Sequence, residues 1–113
     1  MIISLPWMDR RLSPNARVHW RIEAKVKATA KDAAFYMTKY SWGGTTLPDG
    51  PIPMTVTFTP PDRLKRDDDN VIAAFKSARD GIALALKVDD SRFKPTYIVA
   101  AAEFPGRVEV AFL

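Results

Sequence analysis

The sequence contains no cysteine. That excludes a disulfide scaffold, a thiolate metal site and a cysteine nucleophile, and it suits a reducing compartment. It contains a single histidine, His19. One histidine cannot build a histidine metal cluster or a paired-histidine acid–base system. No apolar run approaches the roughly 20 residues that span a bilayer, so no membrane segment is expected. The opening residues, Met1 to Pro6, have neither a basic leader nor a long apolar stretch, and no secretory signal is expected there. Gly-rich phosphate loops, zinc-ligand spacings and a Gly-x-Ser-x-Gly elbow are all missing, and no organic cofactor is expected.

What remains is an ordinary globular composition, with 47% hydrophobic and 27% charged residues in a chain of 113. This is the length of one domain, burying roughly two thirds of its unfolded surface. One domain over residues 1–113 is expected, with a stability margin that favours association with a second copy.

The net charge of +4 hides a split. Residues 10–40 carry eight basic side chains against Glu23 and Asp32, giving that segment +6 and the remainder −2. A basic segment of this kind points to a polyanionic partner, and equally describes a solvated helix face. Seven of the 13 acids fall in residues 62–90.

Hydrophobic periodicity predicts the element order β-α-β-α-β-β. Residues 2–5 read as a strand stopped by Pro6. A helix is predicted over about residues 17–40, with Val18, Ile22, Val26, Ala30, Ala33 and Met37 as its apolar stripe and Arg17, Arg21 and Lys25 on another face. Met54, Val56 and Phe58 alternate with threonines, as in a half-buried strand. A second helix is predicted from Asp68 or Asp69, with Val71, Phe75, Ala78, Ile82 and Ala85 inward and Gly81 as a weak point. Residues 97–102 and the alternating Val108, Val110 and Phe112 read as a hairpin turning at Pro105-Gly106. The expected fold is α+β: a single small mixed sheet with two helices on one face.

The densest chemical signal is Arg63-Leu64-Lys65-Arg66-Asp67-Asp68-Asp69-Asn70. Adjacent carboxylates repel unless cations neutralise them. Mg²⁺ does so with oxygen ligands, often one or two carboxylates plus substrate phosphate oxygens. Asp67 and Asp69, one residue apart in an extended segment, would point to one side. Three acids at a helix start are equally well explained as capping residues. The pair Asp89-Asp90 reads alone as a turn. Together the two groups suit metal-assisted phosphodiester hydrolysis, with phosphates held by the basic helix. A continuous helix over residues 70–86 would be about 25 Å long and would keep the groups apart. They meet only if the chain folds back near Gly81 or a second subunit contributes. Lys76, seven residues after Asp69, returns to nearly the same helix face and suits stabilisation of phosphate charge. His19 suits a phosphate contact or packing. Trp7, Trp20 and Trp42 suit base stacking, core or an interface.

The run Pro61-Asp62-Arg63-Leu64-Lys65-Arg66-Asp67-Asp68-Asp69-Asn70 resembles the P-D-R-x-x-R-D-x-D-N signature of RusA-type Holliday junction resolvases. Asp89-Asp90 stands where that family has a downstream Asp-Asp pair. Leu5-Pro6-Trp7, Ser13-Pro14-Asn15 and His19-Trp20-Arg21 resemble its N-terminal L-P-x-P…S-x-N…R pattern. The resemblance spans nearly the whole chain. It implies a RusA-like fold and a homodimeric, Mg²⁺-dependent endonuclease, with Mn²⁺ as a substitute, that nicks opposing strands of four-way DNA junctions during recombination and repair. It implies Asp67, Asp69 and Asp90 as catalytic metal ligands. The family's lysine commonly lies four residues after the second Asp of D-x-D; here that residue is Ala73, and Lys76, one turn on, takes the role. Asn15, Arg17, Arg21, Lys25, Arg63, Lys65 and Arg66 are the expected DNA contacts, in a bacterial or phage-encoded cytoplasmic enzyme. The alternatives are a non-catalytic nucleic-acid-binding module, or a related nuclease acting on flaps, forks or RNA.

Overall fold

A computed structural model describes residues 1–44 and 46–112. Its strands are β1 (Ile2–Pro6), β2 (Ile52–Thr59), β3 (Phe93–Val99) and β4 (Arg107–Phe112), and its helices α1 (Trp20–Ser41), α2 (Asp68–Ala74) and α3 (Lys76–Leu86). Two short 3-10 turns, Arg10–Leu12 and Asp90–Arg92, complete it. The sheet runs β1-β4-β2-β3. Only β2 and β3 are parallel, and the other two pairings are antiparallel. The result is a small α+β domain with a mixed four-stranded sheet.

The strands form where alternation predicts. Met54, Val56 and Phe58 of β2 and Val108, Val110 and Phe112 of β4 are buried, and Thr55, Thr57, Glu109 and Ala111 lie on the more open face. Ile3, Val56, Val110, Phe58 and Phe75 are among the residues almost wholly removed from water. Phe58 meets the ring of Phe75 edge-on at 5.8 Å, which ties β2 to the helical layer.

The expected hairpin does not form. The strand before Pro105 is Phe93–Val99, not residues 97–102, and it pairs with β2 alone. The following segment passes over the end of β2, where the Ala100 N–H donates to the Phe58 carbonyl and the Glu103 N–H to the Pro60 carbonyl, both at 2.8 Å. β4 therefore enters on the far edge of β2, between β2 and β1. The central place goes to the strand whose inward residues are all large and apolar. β3, with Ile98 and Val99 exposed, stays at the edge.

The inward face of α1 also differs from the expected stripe. Val26, Ala34 and Thr38 are buried and Ala30 partly so, whereas Ile22, Ala33 and Met37 face solvent. The reason is the neighbour. α3 packs on α1 at close range where Gly81 faces Lys31 and Ala34, and only small side chains fit between the two backbones there. Thr38 is accommodated because its hydroxyl donates to the Ala34 carbonyl at 2.7 Å. A Cβ on Gly81 would lie 2.2 Å from the Lys31 carbonyl oxygen of α1. Gly81 is thus a contact point and not the site of a break.

The break falls six residues earlier. The predicted second helix is two helices joined at Phe75, whose N–H bonds back to the Ile72 carbonyl, three residues away instead of four. Its predicted inward stripe, Val71, Phe75, Ala78, Ile82 and Ala85, is buried as expected on both sides of the break.

α3 ends in a left-handed turn. Lys87 has φ 57° and ψ 42°, with the Val88 N–H on the Ala83 carbonyl and the Lys87 N–H on the Leu84 carbonyl. This pattern usually carries glycine, since a side chain there costs about 1–2 kcal/mol. Lys87→Gly should stabilise the domain by about 0.5–1 kcal/mol, after the entropy that glycine adds to the unfolded chain. Thermal unfolding should show a midpoint several degrees higher. An unchanged or lower midpoint would mean that the lysine relieves its own strain.

Candidate functional site

Aspartates organise the polar end of the molecule by accepting N–H groups two residues ahead. Asp9 accepts from Arg11, Asp62 from Leu64, Asp67 from Asp69 and Asp89 from Ser91, at 2.9–3.0 Å. Asp9 is also gripped by the Arg11 guanidinium, with Nη2 2.8 Å from Oδ2. That hydrogen bond, with the backbone one, holds the Asp9 carboxyl down at about 2, from an ordinary 3.8. A lowered folded pKa adds stability above pH 3.8 that is lost as pH falls through about 2. Asp9→Asn should therefore lower the melting midpoint at neutral pH, and the gap to the parent should close between those two pH values. A gap independent of pH would assign the effect to packing instead of charge.

The acid run begins with a loop that spends its own arginine. Arg66 reaches the Asp62 carboxylate at 2.9 Å and the Asp62 and Leu64 carbonyls at 3.2 Å, and its guanidinium lies 5.5 Å over the Trp7 ring. Asp67 then caps α2, so the capping reading is correct for that residue. Asp68 and Asp69 form the first turn. The segment is helical from Asp68 onward, not extended. The cap hydrogen bond ties the Asp67 carboxylate to the Asp69 backbone N–H, not to the Asp69 carboxylate. Both are exposed, and neither carboxylate has an ion-pair partner among the described residues.

The second acid group lies beyond α3, at the start of the 3-10 turn Asp90–Arg92. After the turn at Lys87, the chain runs back alongside the helix, so that the Lys76 ammonium lies 2.7 Å from Asp90 and also binds Asp80. Arg79 backs this pair from inside. Its Nη2 donates to the Asp90 carbonyl at 2.9 Å, its Nε is 3.9 Å from the Asp90 carboxylate, and its guanidinium lies over the Phe93 ring. Lys76 lowers the Asp90 carboxyl, and Asp80 with Asp90 raises the Lys76 ammonium. Asp89 faces its own backbone as the cap of the 3-10 turn. Asp80 and Arg79 escaped the sequence reading. Their signal was the spacing, since residues 76, 79 and 80 share one helix face.

Lys76 and Asp90 therefore meet. A three-carboxylate centre does not: among the described residues no group of three or more His, Asp or Glu side chains gathers closely enough to hold a metal ion. The single chain thus fails to assemble Asp67, Asp69 and Asp90 into one ligand set. The broken helix and the return at Lys87 bring Asp90 to the start of α3, and there it is neutralised by lysine. Asp67 and Asp69 have no ion-pair partner among the described residues, and one Asp67 oxygen is taken by the cap hydrogen bond. Such a pair suits Mg²⁺, which takes one or two carboxylates and fills its shell with water and phosphate oxygens.

The expected DNA contacts divide into groups. Asn15, Lys65 and Arg66 line a cleft of about 410 Å³ together with Asp67. Arg17 lines a shallow groove with Arg10, Arg11 and His19. His19 itself caps α1, its Nδ1 accepting the Arg21 N–H at 3.2 Å. Arg21 lies over the exposed Trp20 ring, and Lys25 edges an apolar groove of about 510 Å³ between α1 and residues 5–12. Arg63 is exposed. Trp42 packs edge-on against Phe112 and serves the core.

No helix among the described residues is long and apolar enough to cross a membrane. No protein-family model matches the chain. A protein of Xylella fastidiosa (strain Temecula1), described as an uncharacterized protein, is 46% identical over 93 residues, which are 80% of this chain and 61% of that protein. The chain thus spans less than two thirds of the relative it matches, and the likeness names no activity.

Proposed function

We propose that the chain is a RusA-type, Mg²⁺-dependent endodeoxyribonuclease that resolves four-way DNA junctions in recombination and repair, working as a homodimer in the cytoplasm of a bacterium or from a phage genome. The observation that carries this reading is the exposed Asp67 at the edge of a cleft lined by Arg10, Asn15 and Lys65, with the exposed Asp69 two residues further on. Carboxylates without ion-pair partners, near cations without them, suit a metal-bridged phosphodiester.

Asp67 and Asp69 would hold the ion, which when bound polarises the phosphate and lowers the pKa of a water. Arg10, Lys65 and Asn15 orient the phosphate backbone. Arg17, Arg21 and Lys25 extend the positive surface along α1. Lys76 is held between Asp80 and Asp90 with its ammonium ready to meet phosphate charge, and Arg79 fixes the Asp90 backbone. Asp90 would join that ligand set only where a second subunit aligned the two acid groups, with Lys76 released to phosphate. A two-fold protein matches two symmetric cuts.

One observation favours a second reading, a non-catalytic DNA-binding module. Asp67 and Asp89 already serve as caps, and no three-carboxylate group forms among the described residues. A synthetic four-way junction separates the two. Paired nicks with Mg²⁺ and none in EDTA support the nuclease. Binding without cutting in either condition supports the module, and full cutting in EDTA overturns the metal-dependent mechanism.

A further inference from the structure

The cleft beside Asp67 is more than a track for phosphates. Its polar lining includes Arg10, Asn15, Lys65 and Asn70, contributed by two segments far apart in sequence. None of these four side chains has an ion-pair or side-chain hydrogen-bond partner among the described residues. The nearby carboxylate Asp9 is neutralised by Arg11, and Asp67 closes the cleft on the side of the proposed metal pair. The lining also includes the apolar side chains Trp7, Met8 and Val71, and the anchored Arg66 guanidinium lies over the Trp7 ring. Cationic and amide donors together with an aromatic ring in one cleft match the two halves of a nucleotide. The volume of about 410 Å³ is that of a small-ligand pocket and takes one nucleotide instead of a duplex.

We infer that this cleft is a mononucleotide subsite. It takes one unstacked nucleotide, with its phosphate on Arg10 and Lys65 and its base against Trp7 between the amides of Asn15 and Asn70. Bases unstack most readily at branch points, where pairing is already disturbed, so the subsite would read junction geometry through the ease of unstacking. The placement beside the cut rests on the nuclease reading; the binding itself does not.

The test is amide and indole NMR of the ¹⁵N-labelled full chain in EDTA, titrated with thymidine 5′-monophosphate and, separately, with inorganic phosphate. The nucleotide should move the Trp7 indole N–H and the Asn15 and Asn70 side-chain amides, saturating in the millimolar range. Inorganic phosphate should leave the indole unmoved. Arg10→Ala with Lys65→Ala should weaken nucleotide binding about tenfold, which is about 1.4 kcal/mol. Trp7→Leu, if its spectrum shows an intact fold, should make nucleotide and phosphate behave alike. The inference is overturned if the nucleotide leaves the indole unmoved, or if the two ligands act identically on the parent chain. Junction cutting is scored separately. A chain that cuts but ignores the nucleotide loses only the subsite, and one that binds the nucleotide but never cuts loses only the nuclease reading.

Discussion

Asp69→Asn should lower junction cutting about 10³-fold or more, roughly 4 kcal/mol of transition-state stabilisation at 1.36 kcal/mol per tenfold, while junction affinity stays within about twofold. The structure makes Asp69 the cleanest of the acids to test. Its side chain makes no hydrogen bond among the described residues, so the substitution removes charge and a metal-ligating oxygen and little else. Asp67 is less clean, because its carboxylate caps α2; asparagine also caps well, so Asp67→Asn should fold normally and still lose cutting. Asp68→Asn removes an equal charge from the same turn and should leave cutting within about twofold. Rates are measured by single-turnover cleavage of a labelled four-way junction, and affinity by gel shift in Ca²⁺ or EDTA. Equal losses at Asp68 and Asp69 would reduce the effect to bulk charge. No loss at Asp69 would end the assignment of the pair as metal ligands.

Gly81→Ala should destabilise the domain by about 3 kcal/mol, a large share of the total for a chain this size. Helix propensity predicts the opposite sign, since alanine in a helix interior is favoured over glycine by about 1 kcal/mol. The contact decides: the new methyl would meet the Lys31 carbonyl oxygen at 2.2 Å and the Ala34 Cβ at 3.1 Å, and both belong to α1. The helices must separate, opening the row of small residues that joins them. Gly43→Ala is the control, because a Cβ there meets nothing within 4 Å and its backbone lies outside the left-handed region. Urea titration of both variants reads the difference directly. A stabilised Gly81→Ala would show that α1 and α3 sit further apart than described.

Much of this was legible along the chain. Alternation placed Met54, Val56 and Phe58, and then Val108, Val110 and Phe112, on buried strand faces, because a strand's period of two is local. The 3.6-residue period likewise marked Val71, Phe75, Ala78, Ile82 and Ala85 as one inward stripe, and the acids marked the start of α2 at Asp68. Capping chemistry is short-range too, so Asp67 could be read as a cap before any fold was known.

Whatever depended on the choice of neighbour stayed hidden until the chain was folded. Period alone does not say which strand an apolar face will join, and β4 left β3 for the slot between β1 and β2. Nor does it say how close a partner helix will come, and the approach of α3 turned the small residues of α1 inward in place of Ile22 and Met37. The candidate site divides in the same way. The acids, the lysine and the basic residues were visible as residue types. The bend at Phe75 and the return at Lys87 decided that Asp90 meets Lys76 and Arg79, and that Asp67 edges a cleft. Residue chemistry is written locally, but distances between segments are set by packing that no local pattern contains.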